Sequence, residues 1–177
     1  MGKKILILGG AGFIGQHLSR SLLKYGDSVR VLDNFNPQVH VSDSLHLDLE
    51  GNVELIRGDL RDRDLMRRAL SGMDVIVHLA AETGTGQSMY EIERYFSINI
   101  QGTATLLDLL QNEDCAKSIH SIVVASSRAV YGEGAYSCIT HGTVFPNQRG
   151  RELMSQGHFD PVCPFCLGLV SLLPTPT

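Results

Sequence analysis

The sequence contains no apolar run near the roughly 18–20 residues that a membrane-spanning helix needs. It also lacks a basic excess, since 15 Lys and Arg stand against 19 Asp and Glu, for a net charge of −4. Nucleic acids and anionic membranes require a basic face, so neither is expected as a partner. With 177 residues, 43% of them apolar, the chain fits one globular domain of ordinary size, which we expect in the cytoplasm.

The apolar pattern changes its period repeatedly along the chain. Strand-like runs are at 3–8, 28–33, 52–58, 74–81 and 118–126, and helical patterns are at 13–26, 62–70 and 88–112. Asp62 is a candidate cap for the helix at 62–70. Strands that alternate with helices form parallel βαβ units, which predicts an α/β fold with a doubly wound parallel sheet in the strand order 3-2-1-4-5. Lysines before the first run are typical of a leader, but glycines interrupt that run and we expect a buried strand.

The glycine-rich stretch LGGAGFIG at 8–15 lies between the first strand and the first helix. It can be read as Gly9-x-x-Gly12-x-x-Gly15 or as Gly10-x-Gly12-x-x-Gly15. In either frame, glycines permit a tight turn and let the backbone approach a pyrophosphate at the helix N-terminus. The context predicts a Rossmann-type dinucleotide site, and a glycine turn without a ligand is the alternative.

Two acidic residues follow the second and third strands. Asp33 ends the second strand, where a carboxylate accepts hydrogen bonds from the adenosine ribose, and its charge repels a 2′-phosphate. No Arg or Lys lies between Val31 and Leu55, so NAD is predicted rather than NADP. Asp59 is a candidate acceptor for the adenine amino group. The alternatives are a solvated acid at Asp33 and a helix cap at Asp59.

Six motifs occur together in an order and spacing that resemble a known family. They are GGAGFIG at 9–15, LDN at 32–34, GDLRD at 58–62, HLAAE at 78–82, NIQGT at 99–103 and SSRAVYG at 126–132. The chain resembles the cofactor-binding part of the extended short-chain dehydrogenase/reductases, specifically the nucleotide-sugar epimerase/dehydratase group. The resemblance covers residues 1 to about 134 and selects the glycine frame Gly9, Gly12 and Gly15.

The resemblance implies roles for individual residues. Those that hold NAD are the backbone of Phe13 and Ile14 at the pyrophosphate, Asp33 and Asn34 at the ribose, Asp59 and Leu60 at the adenine, Leu79, Ala80 and Ala81 along the cofactor, and Ser126 at the nicotinamide. Ser127 would hydrogen-bond the sugar hydroxyl that is oxidised. Asn99 would lie near the catalytic proton network, with a polar residue on a solvated helix face as the alternative.

The family's general base is not found in this sequence. That base is a tyrosine four residues before a lysine, roughly two dozen residues beyond the serine, and the lysine lowers the tyrosine pKa. The last lysine here is Lys117, so no such pair follows Ser127. We expect the chain alone to be inactive and to be the N-terminal piece of a longer enzyme, with a frayed end at 171–177 and no substrate-binding part. A short, non-catalytic NAD-binding or NAD-sensing module is the alternative.

The resemblance also narrows the reaction. Dehydratases of the group carry an Asp-Glu pair after the active-site hydroxyl residue, and the corresponding residues here are Arg128 and Ala129. This departure disfavours a 4,6-dehydratase and favours a 4-epimerase or another oxidoreductase that acts on a nucleoside-diphosphate sugar. Because family members commonly pair through two helices, one of them around 94–112 here, a homodimer is possible.

Cysteine and histidine cluster towards the C-terminus. Cys138-x-x-His141 and Cys163-x-x-Cys166 have the spacing of two knuckles that bind one tetrahedral zinc. Four protein ligands leave no open position, so we predict a structural ion in a zinc-ribbon-like insert at 135–170, after a NAD-binding domain at 1–134. Free thiols and a redox Cys-x-x-Cys pair are the alternatives, and His158 is an alternative to His141 as fourth ligand.

Overall fold

The computed structural model describes residues 2–40, 44–46 and 48–176. The chain divides into two compact units, the first ending at Ala125 and the second beginning at Ser126. The sequence-based domain boundaries, at 134/135 and 170/171, are not the same as this division and stay a prediction.

The first unit contains a five-stranded parallel sheet. Its strands are β1 (Lys4–Leu8), β2 (Ser28–Asp33), β3 (Glu54–Arg57), β4 (Val75–His78) and β5 (Ser121–Val124). Their order is β3-β2-β1-β4-β5, which confirms the predicted doubly wound arrangement. Leu8 pairs in register with Leu32 on β2 and with His78 on β4. The loops that follow β1, β2 and β4 therefore leave the sheet at the same edge.

Helices cover the two faces of this sheet. They are α1 (Phe13–Lys24), α2 (Arg63–Leu70), α3 (Ile92–Tyr95) and α4 (Gly102–Asn112). Leu6 and Leu8 pack with buried residues of α2 and α4. Ile5 and Ile7, which alternate with them, pack on the opposite face with partly buried leucines of α1. A strand covered on both faces is apolar throughout, which explains the unbroken run in β1.

The helix predicted at 88–112 is helical without a break from Ile92 to Asn112, but its type changes along its length. A 3-10 turn at Gln87–Met89 precedes α3, and a π-helical segment at Phe96–Gln101 joins α3 to α4. This π segment contains no glycine or proline, so no helix-breaking residue marks it in the sequence. The predicted cap of α2 is present, because Asp62 accepts hydrogen bonds from the N–H groups of Asp64 and Leu65 at 3.0 Å each.

The second unit has a small antiparallel sheet and one short helix. Its elements are β6 (Tyr136–Cys138), β7 (Gly142–Val144), α5 (Arg151–Ser155) and β8 (Ser171–Leu172), with the strand order β7-β6-β8. At the start of the end segment predicted to fray, 171–177, β8 pairs with β6 and the Leu173 N–H donates to the Ala135 carbonyl at 2.9 Å. Backbone pairing holds this segment although its sequence has no strand pattern.

Candidate functional site

The glycine loop between β1 and α1 is shaped by two close backbone contacts. Gly9 has φ +76°, and a Cβ added there would lie 2.7 Å from the Ala80 backbone. A Cβ on Gly15 would lie 2.5 Å from the backbone of Gly10. At Gly12, by contrast, the nearest atom to an added Cβ is the Gly9 carbonyl oxygen at 3.4 Å. Gly9 and Gly15 therefore serve packing, whereas Gly12 leaves open space.

The N-terminus of α1 is free to meet an anion. Gly12 is its N-cap, no side chain caps it, and the first turn carries no acidic residue. The first N–H groups of a helix have no partner within the helix, and the helix dipole adds positive potential there. This terminus therefore has the properties of a phosphate-binding site.

A cavity of about 340 Å³ opens at the same edge of the sheet. Its volume is in the range of small-ligand sites. The structure brings together around it every cofactor residue that was predicted in the first unit: Gly9, Gly12, Phe13, Ile14, Gly15, Asp33, Asn34, Asp59, Leu60, Leu79, Ala80 and Ala81. Asn99 does not line the cavity, although its neighbour Ile98 does.

Asp33 is buried, with 6% of its surface exposed, and it joins two loops of the cavity wall. One carboxylate oxygen accepts the Ala11 N–H at 3.0 Å and the other accepts the Phe35 N–H at 2.9 Å. His40 Nε2 lies 3.4 Å from the same carboxylate. Asp33 is therefore not the solvated acid of the alternative interpretation. The sequence did not predict that Asp33 supports the glycine loop, because residue spacing alone does not reveal a hydrogen bond to a backbone N–H.

Asp59 is fixed by neighbouring side chains. The Arg61 guanidinium binds both of its carboxylate oxygens at 2.8 Å. Arg61, and to a smaller extent Asn34, hold the pKa of the Asp59 carboxyl below its usual range. The carboxylate is thus kept ionised as an acceptor beside the cavity.

Glu82 forms a polar network that the sequence did not reveal. This nearly buried residue accepts a hydrogen bond from Asn36 Nδ2 at 2.7 Å and forms an ion pair with the Arg94 guanidinium at 3.0 Å. Asn99 binds the Glu82 backbone twice, accepting its N–H at 2.8 Å and donating to its carbonyl at 3.1 Å. The network ties the loop after β2 to the end of β4. Its members are far apart in sequence, so no local motif signals them.

Comparison with known proteins decides the family. A profile of the NAD dependent epimerase/dehydratase family matches residues 5–150. The chain belongs to this family. It is 40% identical over 161 residues to a dTDP-L-rhamnose 4-epimerase of Burkholderia thailandensis, covering 90% of this chain and 44% of that protein. It is 37% identical over 134 residues to a UDP-glucose 4-epimerase of Neisseria meningitidis, covering 74% of this chain and 38% of that protein.

Solved structures of family members show the same fold. A UDP-glucose 4-epimerase from Bifidobacterium longum, in complex with NAD+ and UDP, matches with a TM-score of 0.60 and 29% identity. That match covers 77% of this chain and 40% of the epimerase. The chain therefore spans less than half the length of the relatives that it matches.

Two predicted site residues of this family member lie in the second unit. Ser127 Oγ accepts the N–H of Ala129 at 3.1 Å and caps the 3-10 turn Arg128–Tyr131. Ser126 is exposed immediately before it. The side chain of Arg128 is outside the described part of the structure. The roles of Ser126 and Ser127 stay predictions.

The second unit also gathers the predicted zinc ligands. One ligand atom from each of Cys138, His141, Cys163 and Cys166 lies within 4.8 Å of all the others, and we call these residues the Cys/His cluster. His158 is elsewhere, with its N–H donating to the Leu153 carbonyl at the end of α5. Cys115 is half-buried in the first unit.

None of the helices in the described part of the chain has the length and apolar character that a membrane span requires.

Proposed function

We propose that this chain is the NAD-binding portion of a nucleotide-sugar 4-epimerase. The observation that carries the proposal is the cavity that joins the uncapped N-terminus of α1 to the buried carboxylate of Asp33. The described residues that line it include Asp33 and Asp59 but no lysine or arginine. A dinucleotide without a 2′-phosphate fits this charge pattern.

NAD held in this cavity would supply reversible hydride transfer, the chemistry that inversion at C4 of the sugar requires. The residues of this chain would orient the reactants. The N–H groups of Phe13 and Ile14 bind the pyrophosphate, and Asp33 accepts from the ribose hydroxyls. Ser127 hydrogen-bonds the reacting C4 hydroxyl. The tyrosine and lysine that remove its proton in the family have no counterpart after Ser127 in this sequence, so the chain alone is expected to bind NAD without turnover.

The extent of the matches favours a dTDP-linked deoxysugar as substrate. The match to the dTDP-L-rhamnose 4-epimerase covers 90% of this chain, so it includes more than half of the second unit. The match to the UDP-glucose 4-epimerase of Neisseria meningitidis covers 74% of this chain and requires only a few residues of that unit. Arg128 and Ala129 replace the acidic pair of the dehydratases, so dehydration is disfavoured although a dTDP-glucose 4,6-dehydratase is among the similar structures.

The first experiment titrates the chain calorimetrically with NAD and with NADP. We expect NAD to bind at least about tenfold more tightly, a difference of about 1.4 kcal/mol, because Asp33 repels a 2′-phosphate. Asp33→Asn should reduce that preference. Asp48→Asn, at an exposed acid paired with Arg20 outside the cavity, is the matched control. Equal affinities of the unmodified chain for the two dinucleotides would contradict the proposed cofactor.

The second experiment tests whether the function extends to catalysis. The protein is isolated from its source cells, its mass is measured by native mass spectrometry, and it is assayed with dTDP-L-rhamnose and UDP-glucose. Conversion of dTDP-L-rhamnose to its C4 epimer, seen by NMR and lost in Ser127→Ala, supports the proposal. NAD binding without conversion of either sugar would favour the second candidate, a non-catalytic NAD-binding module, which is motivated by the missing tyrosine and lysine.

A further inference from the structure

The Cys/His cluster is built by two tight loops of the second unit. Cys138 ends β6 and His141 precedes β7, so the first pair closes a hairpin. The second pair, Cys163 and Cys166, lies in a loop closed by the bridge between Val162 and Leu169. Within that loop, the Cys163 N–H donates to the Gly168 carbonyl at 2.9 Å. Each loop presents two ligand atoms towards the other.

Three distances within the cluster match those of a tetrahedral zinc site. Bonds of about 2.3 Å to sulfur and 2.05 Å to nitrogen place tetrahedral ligand atoms about 3.5–3.8 Å apart. His141 Nδ1 lies 3.6 Å from the sulfur of Cys138 and 3.6 Å from that of Cys163. The sulfurs of Cys138 and Cys166 are 3.7 Å apart. A disulfide would require about 2.05 Å, so these separations suit a shared ion and not a covalent bond.

An aromatic contact orients the imidazole of His141. The ring of Phe165 packs against His141 with centroids 5.3 Å apart. This contact helps to keep Nδ1 directed at the sulfurs.

The second unit has too small a core to explain its order. Its buried apolar cluster, among the described residues, consists of Cys138, Val144 and Cys163, so two of the three members belong to the Cys/His cluster. Phe159 and Leu169 are 60% and 84% exposed. Units of about 50 residues with so little buried apolar surface usually need a disulfide or a metal. Four converging ligands that bind one metal ion would provide this stabilisation.

We propose that the Cys/His cluster binds one structural zinc ion, with Nδ1 of His141 as the nitrogen ligand. Three sulfurs and one nitrogen in tetrahedral arrangement select zinc among the common divalent ions. All four positions are taken by the protein, so no water or substrate reaches the metal and its role is to hold the two loops together. Binding deprotonates the three thiols, and the binding free energy becomes folding free energy of the unit.

The primary test measures zinc in the 177-residue chain, purified without chelator, by plasma mass spectrometry. We expect about one zinc per chain, and Co²⁺ in its place should give the visible absorption of a thiolate-bound tetrahedral ion. Cys163→Ser and His141→Ala should lose the metal, whereas His141→Cys should retain it. The matched controls Cys115→Ser and His158→Ala lie outside the cluster and should keep full zinc content.

Three results would overturn the proposal. The first is less than about a tenth of a zinc per folded chain together with no cobalt spectrum after exchange. The second is unchanged zinc content in Cys163→Ser. The third is loss of zinc in His158→Ala with retention in His141→Ala, which would reject His141 as ligand. NAD titration of the same preparations keeps this test separate from the proposed function, because the described residues that line the cavity all belong to the first unit.

Discussion

Gly12→Ala should separate NAD binding from folding. Gly12 has φ −69°, which alanine adopts readily, and an added Cβ would meet only the Gly9 carbonyl oxygen, at 3.4 Å. Gly→Ala replacements at compatible positions stabilise by about 0.4–1 kcal/mol through the unfolded state, but alanine is a poorer N-cap than glycine by a similar amount. The two effects oppose each other, so we expect a Tm within about 2 °C of that of the unmodified chain.

The same methyl group should weaken NAD binding strongly. It projects at the N-terminus of α1, where the backbone must approach the pyrophosphate. Loss of one hydrogen bond to a charged group costs about 1.5–3 kcal/mol, which is about a ten- to hundredfold increase in Kd. Isothermal titration with NAD measures the affinity, and differential scanning calorimetry measures the Tm.

Gly15→Ala is the comparison for stability, because it should lower the Tm whereas Gly12→Ala should not. Its Cβ would lie 2.5 Å from the Gly10 backbone, so α1 or the loop must shift. Such overpacking costs about 1–3 kcal/mol, or roughly 2–12 °C in Tm. The reasoning is refuted if Gly12→Ala binds NAD like the unmodified chain, or if it loses as much stability as Gly15→Ala.

Three further predictions concern stability. Asp62→Ala should lower the free energy of unfolding by about 0.5–2 kcal/mol in urea titrations because it removes the cap of α2; no change would show that the cap is not stabilising. Burial lowers the pKa of the His78 imidazole in the folded state. As the pH falls through about 6.5, the unfolded chain therefore takes up the proton before the folded chain does. Stability that is present above that pH is lost below it. His78→Leu should flatten the loss between pH 7 and pH 5, and an unchanged slope would assign it to other groups. Chelation should abolish the protection of backbone amides in β6 and β7 from hydrogen exchange and leave β1 protected; equal protection with and without chelator would contradict a structural metal.

The sequence predicted those features that depend on local chemistry. A strand-turn-helix with glycines at 9, 12 and 15 predicts both the loop and its position at the sheet edge, because the close contacts at Gly9 and Gly15 exclude any side chain. The cap at Asp62 follows from a short-range hydrogen bond, and the strand order follows from alternating periods. In each case the residues that interact are neighbours or belong to a repeating unit.

Features that arise from distant contacts could not be predicted in the same way. Glu82, Asn36 and Arg94 belong to three separate segments, and only the packed sheet brings them together. β8 has no alternating pattern, and it exists because β6 offers backbone groups to pair with. The carboxylate of Asp33 was expected to face a ligand, yet two of its hydrogen bonds go to backbone groups of the protein.

The two units therefore illustrate different ways in which a sequence specifies order. In the first unit, apolar residues on both faces of the sheet supply the driving force, and the polar cavity forms at an edge of the sheet that this core already holds in place. In the second unit the buried cluster is mostly cysteine, so the residues that specify the fold are the same ones that would bind zinc. A substitution in the first core should lower stability in proportion to the buried area removed. Replacement of one ligand in the second by a residue that cannot bind zinc should abolish order in the whole unit, because three remaining ligands do not close the site.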